Sequence, residues 1–438
     1  MSRFEFSELI VENFGTYLLI FILSILLYYI VLKKIFISLI DPFFLTQIFS
    51  FFAFTVAIFL WVTGTIKWQY GLQFLLTQIA FWIGLHCYDF SYVKSKINAS
   101  ENTNFDYSSL LNRREVYVIL CLSILFVFIQ LFVYYRYGVP LFMQSRLSMY
   151  EESGGGGMWG RILSVLAPLV LVGCLYIKKI AIKYSLLCIV ASFFILFVAS
   201  TYLLSGSKGQ ILTLFSVYLY FLMMYEPYRI KKVRKLEYWA FGITFGVALY
   251  VLALHNSAES SLLLFIDRLV GSGDIFYQGY FQEIIESIKV TPWMILNDML
   301  GTFRIVSWED LPKPIGMQIY AIVYNTELPM GPNARHNYLG LLCFGTFGSI
   351  LFSYFLGRCC SFVRTKFYKK NYRASVMHVG FYIYILFSVC SVETDFTMFI
   401  ASIDSFIVTC ISIVIIFIII WGLSVFIGCC EKNLTNLK

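Results

Sequence analysis

Apolar runs of about 20 residues, the length a helix needs to cross a bilayer, recur from one end of this chain to the other. TYLLIFILSILLYYIVL (16–32) and ISIVIIFIIIWGLSVFIG (411–428) are two of them. Inside hydrocarbon every backbone N–H and C=O must be satisfied internally, so unbroken apolar runs mean helices, not barrel strands. Composition agrees: 13% of residues are charged, about half the share in a soluble domain. The expected fold class is therefore an all-α polytopic integral membrane protein, one membrane domain over residues 1–438. Spans are expected at 15–32, 43–64, 71–86, 116–134, 162–177, 184–204, 211–225, 238–254, 337–357, 375–390 and 398–427. Twelve is the rival to this count of eleven.

Basic residues orient the bundle, because Lys and Arg stay on the cytoplasmic side of short loops. Alternate loops starting after the first span, with the C-terminal tail, hold 22 of them against 11 on the other side. KKVRK (Lys231–Lys235) and RTKFYKK (Arg364–Lys370) then read as cytoplasmic anchors, and the net charge of +8 is topology, with no nucleic-acid partner implied. The flank MSRFEFSELIVEN is acidic, unlike a cleavable signal peptide, and is expected to be a short outside tail. Residues 136–161, the turn SGSKGQ (Ser205–Gln210), the long polar stretch 255–336 and SVETDF (Ser391–Phe396) fall together on the outer face. In a bacterium with an outer membrane that face of the inner membrane is the periplasm. None of the eleven cysteines lies in 136–161 or 255–336, as suits an oxidising compartment. No C-x-x-C or Cys/His cluster suggests a metal.

The stretch 255–336 holds SLLLFIDRLV and QGYFQEIIESI, both with helical apolar spacing, separated by GSGD (Gly271–Asp274). A loop of this length with helices of its own is expected to be a folded cap. Residues able to hold a bulky anion gather on the same face. Arg146 and Arg268 are each followed eleven positions later by glycine, Gly157 and Gly279; arginine offers a fixed fork of donors to phosphate, and glycine lets backbone approach. The alternative is that these arginines pair with Glu151, Glu152 or Asp267. Lys208 sits in a Gly/Ser turn whose amides can form an anion nest, or is a plain interfacial lysine. Arg304 adds a cation to the long loop. Arg335, His336 and Asn337 lie where that loop meets the membrane, above Gly340, Gly345 and Gly348; a histidine there is placed to take a proton or simply to cap a helix. Asp404, inside the last span beyond Glu393 and Asp395, is a functional candidate because an intramembrane carboxylate is costly, with a structural ion pair as the alternative. No Walker A, Rossmann, H-E-x-x-H or G-x-S-x-G motif occurs, which argues against an ATP motor, a zinc protease and a serine hydrolase.

The outer-loop Arg/Gly spacings, the loop-end HN (His336–Asn337) before a glycine-punctuated helix, and the late large loop resemble the bacterial O-antigen polymerase (Wzy) family. SGSKGQ is similar to a GSR-like turn of such enzymes, with Lys208 where arginine is more usual. The resemblance implies a C-type glycosyltransferase (GT-C) that joins oligosaccharide repeat units carried on undecaprenyl pyrophosphate. It implies no cofactor; its partners would be that lipid-linked oligosaccharide, membrane lipid, and a chain-length regulator and flippase of the same pathway. On this basis His336, Arg268 and Arg146 are the expected catalytic residues. Arg335, Lys208, Asn337, Arg304, Gly157 and Gly279 are expected to bind the pyrophosphates, with Glu151 and Asp274 as further candidate bases. The O-antigen ligase and a flippase for the same lipid-linked unit are the alternatives; a membrane acyltransferase, for which His378 is the candidate, is a more distant one.

Overall fold

The computed structural model of the chain describes residues 1–39, 41–88, 113–143, 157–180, 185–206, 210–226, 238–239, 242–243, 246, 271–291, 293–326, 328, 330–369 and 375–435. Among them the regular elements are helices: α1 Arg3–Glu12, α2 Phe14–Leu32, α3 Pro42–Val62, α4 Trp68–Leu85, α5 Arg113–Tyr137, α6 Gly157–Ile180, α7 Ser185–Leu204 and α8 Gln210–Tyr225. Four short helices follow, α9 Asp274–Gly279, α10 Gln282–Ser287, α11 Asn297–Thr302 and α12 Ile315–Tyr324, then α13 His336–Lys369, α14 Val376–Cys390 and α15 Phe396–Thr435. Among the described residues, seven helices are long and apolar enough to cross a membrane. The chain is a multi-pass all-α membrane protein.

Helix α4 is not among the seven, and the reason locates the interior. Gln73, Thr77 and Gln78 are all buried, whereas Leu72, Leu76, Ile79 and Ile83 are exposed. Positions four apart share a helix face, so α4 turns a polar face inward and an apolar face outward. Polar residues in a membrane helix face the bundle interior for this reason, and they dilute the hydropathy that marks a span.

The expected span at 337–357 is not a single element. Within α13 the chain leaves helical geometry at Gly345, with φ 67° and ψ −173°, a region essentially restricted to glycine. A Cβ on Gly340 would lie 3.0 Å from that of Ser349, and His336 Nδ1 is 2.9 Å from Ser353 Oγ. Residues equidistant from the turn therefore face each other, and α13 is a hairpin. Its second limb, 346–369, is about 36 Å long and reaches across a bilayer; its first, 336–344, is about 13 Å long and does not. Both limbs are apolar and glycine is common in membrane helices, so hydropathy reads straight through the bend.

The second limb packs backbone to backbone on α4. A Cβ on Gly84 would come within 2.2 Å of the Tyr354 carbonyl oxygen, and one on Gly357 within 2.1 Å of that of Phe81. Small residues permit this approach between membrane helices. At the far end of the same pair, Arg364 is fully buried and forks onto Asp41 at 2.9 and 2.7 Å, with Tyr220 donating to the same carboxylate at 2.8 Å. Arg364 was expected to anchor at the membrane surface; instead a carboxylate just before α3 draws it inside. Its neighbour Lys366 stays exposed.

Candidate functional site

The segment before the hairpin folds down into the bundle. Gly273 lies against Val56 of α3 so closely that a Cβ would be 2.7 Å from the valine side chain. Phe276 meets Phe74 edge-on at 4.8 Å, and Tyr280 stacks on Tyr70 at 5.9 Å. Backbone broken into such short helical pieces survives at this depth only when enclosed by protein, and α1, α3 and α4 enclose it.

This descent places Arg335, His336 and Asn337 together at the N-terminus of the short limb 336–344, all three buried. Arg335 donates from Nε to the Ser272 carbonyl at 3.2 Å, and from its two terminal nitrogens to Ser50 Oγ at 3.2 Å and the Phe49 carbonyl at 3.1 Å. Ser50 is near the middle of α3, so the guanidinium stands well inside the bundle. His336 stacks on Phe81 at 4.9 Å and uses Nδ1 on Ser353; its Nε2 has no hydrogen-bond partner among the described residues. Asn337 donates to Thr77 Oγ1 at 2.8 Å. Its carbonyl accepts from Gln73, which also donates to Ser349 and accepts from Tyr280. The inward face of α4 is thus a rack of hydrogen-bonding groups for the half-helix.

Beneath Arg335 lies Glu393, in the buried turn between α14 and α15. Gln78 donates to one of its oxygens at 2.8 Å and Gln47 to the other. Burial raises its pKa above the ordinary carboxylate value, opposed by the two glutamines and by the Arg335 charge. Asp395 is likewise raised by burial while accepting from Thr397. On the other side of Arg335 is Asp274, partly exposed where its neighbours are sealed. Burial raises its carboxyl to about 7; the Ile275 amide at 2.9 Å and the charges of Arg335 and Arg3 hold it from going higher.

A second polar cluster ties α11 to the spans. Asp404 pairs with Arg161 of α6, and Thr302 of α11 donates to the same carboxylate oxygen at 2.7 Å. Asp298, beside Thr302 on α11, also feels the Arg161 charge, and burial raises its pKa. Asp404 therefore has the arginine partner that the sequence left open.

Of the expected site residues, Arg335, His336 and Asn337 converge, with Asp274 beside them. Arg146, Arg268, Lys208 and Glu151 lie outside the described residues. Arg304 is exposed on the turn after α11, at φ 53°. Gly157 opens α6 at φ 54° with no atom near a would-be Cβ. Gly279 is pressed on the Tyr338 ring, 2.9 Å from a would-be Cβ, and Tyr338 donates to its carbonyl; the glycine serves packing. His336, expected as a catalytic residue, is fully buried, with its ring on Phe81 and its Nδ1 on Ser353. Gln47, Ser50, Gln73, Thr77 and Gln78 were not singled out from sequence. Their signal was present as amides and hydroxyls at helical spacing inside apolar runs.

No family model matches the chain, and neither a curated protein nor a solved structure matches it.

Proposed function

We propose that this membrane bundle polymerises undecaprenyl-pyrophosphate-linked oligosaccharide repeat units into O-antigen or a related capsular polysaccharide. It does so as a GT-C-like glycosyltransferase of the bacterial inner membrane, with the face that carries residues 271–335 in the periplasm. One observation carries the reading: a permanent cation, Arg335, at the inward N-terminus of a half-helix, with Asp274, whose carboxyl is raised to about 7 by burial, beside it. A helix N-terminus and a fixed guanidinium both favour a phosphate anion. A carboxyl with pKa near the working pH is matched to proton abstraction.

In the reaction, the acceptor hydroxyl gives its proton to the Asp274 carboxylate as its oxygen bonds to the donor's anomeric carbon. The carbon–oxygen bond to the lipid pyrophosphate breaks, and its electron pair leaves with the pyrophosphate. Charge grows on that leaving group, where preorganised positive charge has most effect. Arg335 supplies it from this part of the chain; Arg146, Arg268 and Lys208 are its expected companions. His336 and Asn337 fix the half-helix against α4, and no cofactor is required. A chain-length regulator and a flippase are the expected pathway partners.

A second reading, carriage of the same lipid-linked unit across the membrane, draws on the half-helix itself, because carriers place broken-helix ends against anionic substrates within the bilayer. Deleting the gene in its host separates these readings on a lipopolysaccharide gel. Polymerase loss leaves core with a single repeat unit and no ladder, and the wild-type gene restores the ladder. Bare core with accumulated lipid-linked polymer indicates the ligase instead; bare core without polymer indicates the carrier. Asp274→Asn, present in the membrane at wild-type level, is expected to leave single repeat units only.

A further inference from the structure

Helices α2 and α4 both pack against α3, and a groove of about 680 Å³ runs between them. Tyr28 of α2 meets Trp82 of α4 edge-on at 5.3 Å, and the buried Trp82 forms the floor of the groove. The walls are apolar. Ile79 and Ile83 from α4 and Ile30 from α2 line them, all three exposed. Because α2 is one of the spanning helices, these walls lie against the hydrocarbon of the bilayer.

One end of the groove is cationic. His86, which follows the last residue of α4, turns Nδ1 to the Trp82 carbonyl at 2.8 Å and Nε2 to the Val31 carbonyl of α2 at 3.0 Å. A carbonyl oxygen only accepts, so both ring nitrogens carry protons and His86 is an imidazolium. It stands where two helix C-termini favour positive charge. Lys34, just beyond α2, lines the same groove. It is exposed, and among the described residues no carboxylate pairs with it. Lys33 instead lies over the Tyr29 ring, 5.9 Å from its centre. No acidic residue lines the groove among the described residues.

We propose that this groove is a binding site for an anionic membrane phospholipid, with one acyl chain along Ile30, Ile79 and Ile83 and the phosphate at Lys34 beside His86. The lipid supplies the counter-charge that the lining residues lack, and its chain bridges α2 to the helix that carries the polar rack. A zwitterionic lipid keeps the chain contact but loses the net attraction, so the site discriminates by head charge. One basic residue near the membrane surface favours an anionic lipid about fivefold. This site is independent of the reaction proposed above.

The test uses the full chain reconstituted in phosphatidylcholine vesicles that contain phosphatidylglycerol with a diazirine midway along one acyl chain. After irradiation and digestion, mass spectrometry is expected to find the label on the peptides that hold Ile30, Ile79 and Ile83, and unlabelled phosphatidylglycerol to compete it away. The same photolipid with a choline head should label these peptides about fivefold less. Lys34→Gln should lower the phosphatidylglycerol label about fivefold, Lys34→Arg should keep it, and Ile83→Trp, which fills the groove, should remove it. Equal labelling by the two heads, or a label unchanged in Lys34→Gln or in Ile83→Trp, overturns the proposal and leaves an unselective lipid-facing surface. Loss of the label on adding inorganic phosphate at constant ionic strength would assign the cations to a free anion, and overturns it as well.

Discussion

Arg335 and Arg364 are both buried and are held in opposite ways. Arg364 forks directly onto Asp41, whereas Arg335 rests on neutral acceptors with Glu393, Asp274 and Asp395 in its field. Removing one member of a buried pair strands the other's charge and costs about 3–5 kcal/mol, while removing both costs less than the sum. Asp41→Asn and Arg364→Gln should each lower the melting temperature in detergent sharply, and the double variant less than additively. Additive losses would show that the pair is not coupled. Asp274 makes the reverse kind of prediction. Its folded pKa of about 7 lies above that of the unfolded chain, so the folded state binds the extra proton and stability falls as pH rises from about 4 to about 7. Asp274→Asn should shallow that fall in a series of melts across pH, and an unchanged slope would count against the raised pKa. At this scale Arg335 was legible because it stands in a loop beside a histidine and an asparagine. Arg364 was not, since no local pattern tells which arginine of a basic run meets a carboxylate 323 residues away.

Among the elements, α4 and the α13 hairpin carry the site, and they are the two that hydropathy describes least well. The polar rack on α4 lowers its score as a span, and the hairpin passes as one long apolar helix. A turn at φ 67° was readable only as a glycine among several, because Gly340, Gly345 and Gly348 look alike in sequence and differ in what surrounds them. Gly345→Ala has no neighbour to clash with, so its cost is conformational, about 1–3 kcal/mol. Gly84→Ala instead drives a methyl into the backbone of the second limb, where no side chain can give way. Thermal melts of the two variants should show both destabilised. A neutral Gly84→Ala would mean that the two helices are not in backbone contact.

For the whole molecule, the multi-pass helical bundle was legible from apolar run length alone. The burial of the cap's end within it was not, because burying 271–279 and 334–337 depends on side chains brought from α1, α3 and α4. Of the stretch 255–336, expected from sequence to be an outer cap, residues 275–280 and 334–336 are buried. The packing of α1 on α9 and α12 puts Ser7 and the exposed Ser307 on one side of the bundle, with exposed Cys87 at the far end of α4. Ser7→Cys and Ser307→Cys should react with an impermeant maleimide in intact spheroplasts, and Cys87 only after permeabilisation. Labelling of all three without permeabilisation would contradict this arrangement.

The turn at Gly345 also sets an order of assembly. A limb of about nine residues is too short for the insertion machinery to deliver as a span, and Arg335 just before it has its acceptors only once α3 and the Ser272 turn are in place. The long limb must therefore be threaded and zipped onto α4 first, with the short limb swinging in from the water afterwards. Until it does, the half-built protein holds an open polar slot among its spans, and a protease acting from outside should cut newly made chains in this stretch more readily than mature ones.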